Sequence, residues 1–187
     1  MVYHTIYKGS MTKVINLLSG SGSGKSTTAA GIFYEAKLRG IHCEMVREYV
    51  KQWAWEGRKI GPYDQPNIFG NQTRQESLLY GKVDLVVTDS PLLLSPIYEY
   101  FYTGSSIIES FALAFIDKAK RSGVEHHNFI LKRNKSFDPR GRYETAEQAN
   151  EVDKLVESFL TKHDISYIIV DTDERERVNF VLSKMGY

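Results

Sequence analysis

Apolar residues along the chain fall into short continuous runs that alternate with stretches of helical spacing. Val14–Leu18, His42–Arg47, Asp84–Thr88, Phe129–Leu131 and Tyr167–Val170 are compact apolar runs bounded by polar or glycine residues, and each predicts a strand. Between them, Lys25–Arg39 carries Ala29, Ile32, Phe33 and Ala36 as a helical stripe, with Gly40 as its stop. Helices are also predicted over Tyr49–Glu56, Ile68–Tyr80, Leu93–Tyr102, Ile107–Arg121 and Ala146–Lys162. The face of Ile107–Arg121 is read as Ile107, Ile108, Phe111, Ala114 and Phe115, that of Ala146–Lys162 as Ala149, Val152, Val156 and Phe159. A closing helix shows Val178, Val181, Leu182 and Met185. Gly57–Asn67 and Arg133–Tyr143 read as loops.

Strands that are almost wholly apolar and alternate with helices predict an α/β fold: a parallel sheet covered on both faces. Ligands in such sheets sit at the carboxyl ends of the strands. Those ends carry Ser19–Ser26, Arg47-Glu48, Asp89-Ser90 and Arg133, so the polar residues converge on one crevice.

Composition adds bounds. The chain has 187 residues, 42% of them hydrophobic and 25% charged, which suits one globular domain. A net charge of +1 does not suggest a protein that coats nucleic acid or an anionic membrane. No apolar run approaches the roughly 20 residues that span a bilayer, and no signal pattern opens the chain, so a cytoplasmic protein is expected. The single cysteine, Cys43, excludes an intrachain disulfide and reads as a small buried residue at a strand start. Residues 1–10 end in Gly9-Ser10 before a second methionine and read as a leader, leaving 11–187 as one domain.

The chemistry begins at Ser19-Gly20-Ser21-Gly22-Ser23-Gly24-Lys25-Ser26-Thr27. This matches G-x-x-x-x-G-K-[ST] except that Ser19 stands at the first glycine. Small residues let the backbone wrap a phosphate with its N–H groups inward, and the following helix presents its positive end. Lys25 reaches the β- and γ-phosphates, and the Ser26 hydroxyl ligates magnesium. A flexible Gly-Ser linker would not carry Lys-Ser-Thr between an apolar strand and an apolar helix.

Asp89, at the end of the third strand, is placed to orient magnesium or to take a proton from an attacking hydroxyl; an ordinary helix cap before Pro91 is the alternative. Lys132, Arg133, Lys135, Arg140 and Arg142 crowd one segment. Near 133–143 that segment reads as a lid closing over a triphosphate, with Arg133, Arg140 and Arg142 favoured over the lysines, or else as a solvated basic loop. Arg47, Glu48, Trp53 and Gln72 are candidates for the acceptor pocket, with Trp55, Tyr63, Phe69 and Arg74 nearby. For each aromatic alone, core packing is the competing reading. The five histidines show no metal spacing, and His126-His127 reads as surface.

Ser19–Thr27, Val46-Arg47-Glu48-Tyr49, Gln72, Val87-Thr88-Asp89-Ser90 and the segment from Arg140 to Tyr143 together resemble the P-loop nucleoside and nucleotide kinases. Within them the likeness is to the ribosylnicotinamide kinase-like, AAA-type ATP-binding group. The resemblance implies a five-stranded parallel sheet of order 2-3-1-4-5. It also implies ATP, magnesium and transfer of the γ-phosphoryl group to a hydroxyl or phosphate of a nucleoside- or nucleotide-like acceptor. Two further readings stay open: a hydroxyl on a base or end of DNA as acceptor, and a regulatory ATPase without acceptor.

Overall fold

The structure is a computed structural model that describes residues 11–134 and 136–187; the expected leader 1–10 and Lys135 lie outside them. Its elements, in chain order, are β1 Thr12–Leu18, α1 Lys25–Leu38, β2 Cys43–Val46, α2 Lys51–Trp55, α3 Gln65–Ser77 and β3 Leu85–Thr88. They continue with α4 Leu94–Thr103, α5 Ile107–Arg121, β4 Val124–Leu131, α6 Ala146–Lys162, β5 Tyr167–Val170 and α7 Arg177–Lys184. The strands form a parallel sheet in the order β2-β3-β1-β4-β5, the order the resemblance implied.

Strand alternation divides the core. Ile15, Leu17, Leu85, Val87, Phe129 and Leu131 face α1 and α7, meeting Ala29, Ile32, Ala36, Val181 and Leu182. On the other face Leu18 and Ile130 pack under Leu93, Ile97, Val152, Val156 and Leu160, while Val14 and Val86 pack with Ala119. The central strands are buried on both sides, which is why they read as unbroken apolar runs. Edge strand β5 differs: Val170 is fully buried, but Ile168 and Ile169 are exposed. No helix among the described residues is long and apolar enough to cross a membrane.

Several boundaries move for local reasons. Helix α3 starts at Gln65, earlier than the apolar spacing indicated, because Pro66 fits a first turn where its missing N–H is no loss. In α5, Ile107 and Phe111 are 77% and 61% exposed, against the expected face. Ile108 is buried as expected, together with Ala112, against Phe69 and Leu92, and Phe115 packs on that cluster, so the stripe keeps Ile108 and Phe115 and turns away from Ile107 and Phe111. Helix α6 opens with a capping box: Gln148 N donates to Thr145 Oγ1, and Thr145 N donates to Gln148 Oε1. Cys43 is buried at the start of β2 as expected, with its thiol pushed up to about 12 by burial.

His126 corrects the surface reading. Strand β4 begins at Val124, so His126 lies inside it, with its side chain 7% exposed and Nε2 4.0 Å from Glu76. Burial lowers this imidazole to about 4 and raises the buried Glu76 carboxyl to about 7. Glu76 Oε1 accepts a hydrogen bond from the Tyr80 hydroxyl at 2.5 Å.

Candidate functional site

The turn from β1 into α1 is built by backbone geometry. Gly22 and Gly24 have φ of 79° and 95°, a left-handed conformation that side chains disfavour. Gly24 is the N-cap of α1 and supplies no side-chain cap, leaving the first turn open to a ligand. Gly20 sits so close to α6 that a Cβ there would lie 2.2 Å from the carbonyl oxygen of Ala149. Ser19 is fully buried and its hydroxyl bonds that of Ser23 across the loop. A glycine in its place could not tie the two ends of the turn together.

Lys25 folds back, donating to Ser19 O at 2.7 Å and Gly20 O at 2.8 Å. Burial pulls its ammonium below the usual lysine range, against the opposing charges of Glu48, Asp89, Asp153 and Glu144. The Ser26 and Thr27 side chains are exposed at the start of α1.

One pocket joins Ser21, Gly22, Gly24, Lys25, Ser26 and Thr27 with Glu48, Asp89 and Arg142. The carboxyl ends of β2 and β3 meet in it, where Asp89 Oδ1 accepts the Glu48 N–H. Helix α4 is instead preceded by Leu93, so Asp89 is no helix cap. Burial raises the Glu48 carboxyl above its ordinary range; Lys25 opposes that shift and Asp89 adds to it.

Other expected residues lie around this pocket rather than in it. Arg47 is exposed, and its carbonyl accepts from Gln72 Nε2 at 3.3 Å. Gln72 is buried and also accepts from Tyr49 N at 3.2 Å, so it braces the segment that carries Glu48. Trp53 packs in a cluster with Val50 and Ile68, its ring 3.4 Å from the Arg58 guanidinium. Arg140 is 83% exposed and paired with Asp138 at 2.8 Å. Arg133 does not line the pocket; it donates to Ser21 O and, at 2.9 Å, to Asp153.

The structure adds residues that the sequence did not single out. Glu144 lines the pocket and accepts from the Tyr102 hydroxyl; Tyr102 stacks on Tyr98, another lining residue, with centroids 6.0 Å apart. Burial and the nearby Glu144 charge raise both phenols. Lys51 donates to Gly141 O at 2.7 Å, and Tyr143 donates to Arg58 O at 3.0 Å, so the expected lid segment rests on α2. Glu144 directly follows Arg142-Tyr143, which is the only hint the sequence held.

Among solved structures, the thymidylate kinase from Ehrlichia chaffeensis superposes with a TM-score of 0.60 at 14% identity, covering 96% of this chain and 100% of that one. A NadR protein in complex with NR superposes with a TM-score of 0.68 at 14% identity; the match covers 95% of this chain and 52% of that one. The APS kinase CysC of Mycobacterium tuberculosis, in complex with AMPPNP and APS, gives a TM-score of 0.55 at 13% identity over 95% of this chain and 99% of its own. At these identities the likeness is one of fold, the three-layer P-loop NTPase fold. No curated protein sequence matches. The AAA domain family model matches residues 14–177, so the chain belongs to the AAA domain family.

Proposed function

We propose that the protein is an ATP-dependent kinase that transfers the γ-phosphoryl group to a hydroxyl of a small nucleoside- or nucleotide-like acceptor. The observation that carries this reading is the shared pocket: the phosphate loop, two carboxyls from the ends of β2 and β3, and an arginine from the segment after β4 line one space. A regulatory ATPase needs the loop but has no use for a second, carboxylate-lined half.

The loop amides and Lys25 hold the phosphates, with Lys25 exchanging the carbonyls of Ser19 and Gly20 for phosphate oxygens. Among the described residues no cluster of three or more His, Cys, Asp or Glu is placed to hold a metal. The exposed Ser26 hydroxyl and the Asp89 carboxylate in the same pocket therefore fit an ion shared with the nucleotide, such as magnesium. When bound, that ion neutralises charge on the phosphates.

Two carboxyls face the acceptor side. One Asp89 oxygen is engaged by the Glu48 N–H, and no hydrogen bond to the Glu48 carboxyl is found among the described residues. Glu48, partly desolvated and unpaired, is the better proton acceptor, which leaves Asp89 to the metal. The acceptor hydroxyl gives its proton to Glu48, its oxygen bonds to the γ-phosphorus, and the bridging oxygen–phosphorus bond breaks to release ADP. Arg142 stabilises charge on the moving group.

A radiolabelled-ATP screen against nucleosides, nucleotides, ribosylnicotinamide and hydroxymethylated DNA tests the reading. Label should appear in an organic product. Label only in inorganic phosphate would replace the kinase with the ATPase reading.

A further inference from the structure

Arg177 opens α7 and is wholly buried. Burying a guanidinium is unfavourable unless its donors are matched. Here backbone carbonyls from three chain segments match them. Nη1 donates to Ser23 O at 2.7 Å, Nη2 donates to Lys132 O, and Nε reaches Thr172 O at 3.4 Å. Ser23 lies in the loop after β1, Lys132 follows β4 and Thr172 follows β5. One side chain thus fastens the carboxyl ends of three strands beside the phosphate loop.

A second guanidinium works on the same loop, and neither of the two lines the pocket. Arg133 donates to Ser21 O, and Asp153, which holds Arg133, also accepts the Gly20 N–H at 2.6 Å. In a planar trans peptide the carbonyl and the following N–H point in opposite directions. Drawing the carbonyls of Ser21 and Ser23 outward therefore turns the N–H groups of Gly22 and Gly24 the other way. With both glycines at positive φ, this produces a concave row of N–H groups suited to an anion.

We infer that Arg177 is a positioning residue for the phosphate loop: its bond to Ser23 O holds the Gly24 N–H toward the pocket, and its bonds to Lys132 O and Thr172 O anchor that hold to the sheet. The inference rests on the reading of the loop as a nucleotide site. An apolar side chain would fill the same space without ordering a carbonyl, and a lysine offers one nitrogen where the arginine offers a fork.

The test uses the full chain with Arg177→Lys and Arg177→Gln. In the nucleotide-free protein, 15N relaxation should show the Gly22 and Gly24 amides falling from rigid order parameters of about 0.85 to below about 0.6, while the strands stay rigid. ATP affinity, measured by calorimetry, should weaken by about 10-fold or more, the order expected from one charge-assisted hydrogen bond, with acceptor KM unchanged. Folded variants that keep rigid glycine amides and bind ATP within about twofold of the parent chain overturn the inference. Failure of both variants to fold also overturns it, because Arg177 would then serve the whole fold. If the parent chain binds no ATP, the kinase reading fails, and the relaxation data alone still decide the role of Arg177.

Discussion

The backbone N–H of Glu48 donates to Asp89 Oδ1 at 3.0 Å, so the ends of β2 and β3 are held in register and two carboxyls are presented to one pocket. The bond distinguishes the two carboxyls, because it occupies an oxygen of Asp89 and, among the described residues, none of Glu48. Glu48→Gln should lower kcat by about 10²-fold or more, the range for a lost general base. In the parent enzyme the rate should fall as acid protonates Glu48. Because burial raises that carboxyl, the acid limb should lie above the ordinary glutamate value of about 4.3. Asp89→Asn should instead raise the magnesium concentration needed for half-maximal rate. An unchanged magnesium requirement in Asp89→Asn would remove the metal role.

Lys25→Ala should abolish transfer with little loss of stability. Among the described residues its ammonium bonds only loop carbonyls, and burial already disfavours its charge. Thermal melts and product formation measured on the same preparation check both halves. Full turnover would rule out the proposed phosphate grip.

Arg142 and Arg140 should behave differently. Arg142 lines the pocket, whereas Arg140 lies outside it, paired with Asp138 in solvent. Arg142→Ala should cost about 10³-fold in kcat, as for a charge-stabilising finger. Arg140→Ala should change it by less than about threefold, since exposed pairs contribute little. Equal losses would mean that Arg140 also reaches the pocket once substrates bind.

Gly141 is a steric key between the segment after β4 and α2. Its φ is 64°, and a Cβ would lie 2.7 Å from the Trp55 ring. Gly141→Ala should destabilise this segment by about 1–2 kcal/mol through backbone strain, plus the clash. Adding Trp55→Ala should relieve the clash and recover part of the loss in acceptor KM. A double variant no better than the single would place the whole effect in the backbone.

The buried Glu76–His126 pair makes stability depend on pH in two opposing ways. Glu76, raised to about 7, keeps its proton in the folded state where the unfolded chain has lost it, so its contribution falls as pH rises from about 4.5 to about 7. His126, lowered to about 4, loses stability as pH falls below about 6.5. Glu76→Gln removes the first effect. Its stability relative to the parent should increase by a few kcal/mol between pH 5 and pH 8 in denaturant titrations, taking about 1.4 kcal/mol per pK unit. A flat difference would mean that Glu76 is already ionised in the fold.

The phosphate loop and the alternation of strands and helices were legible because each is written in consecutive residues. Val14–Leu18 and Lys25–Arg39 needed no partner to be recognised, and the family resemblance supplied the strand order. The rest of the site is assembled from a distance. Arg177, Asp153, Glu144 and Tyr98 come from different elements, and nothing local to them marks their convergence on the loop or pocket. Arg133 and Arg140 looked equivalent in a basic run, but Asp153 draws one to the loop and Asp138 holds the other in solvent. Ile107 and Phe111 were read as core because their spacing also fits the buried face; only the packing of Phe69 and Leu92 fixes the phase of α5.

Helix α6 is a shared footing for both halves of the machinery. Its N-cap, Thr145, ends the segment that follows β4, and one to two turns later Ala149 and Asp153 touch the loop at Gly20. The seam between them is Thr145. Segment 136–144 and the loop at Gly20 are therefore tied to one helix, with the capping box fixing where the segment ends and the helix begins. A single methyl at position 20 would push on Ala149 and, through the helix, on the segment that Thr145 ends.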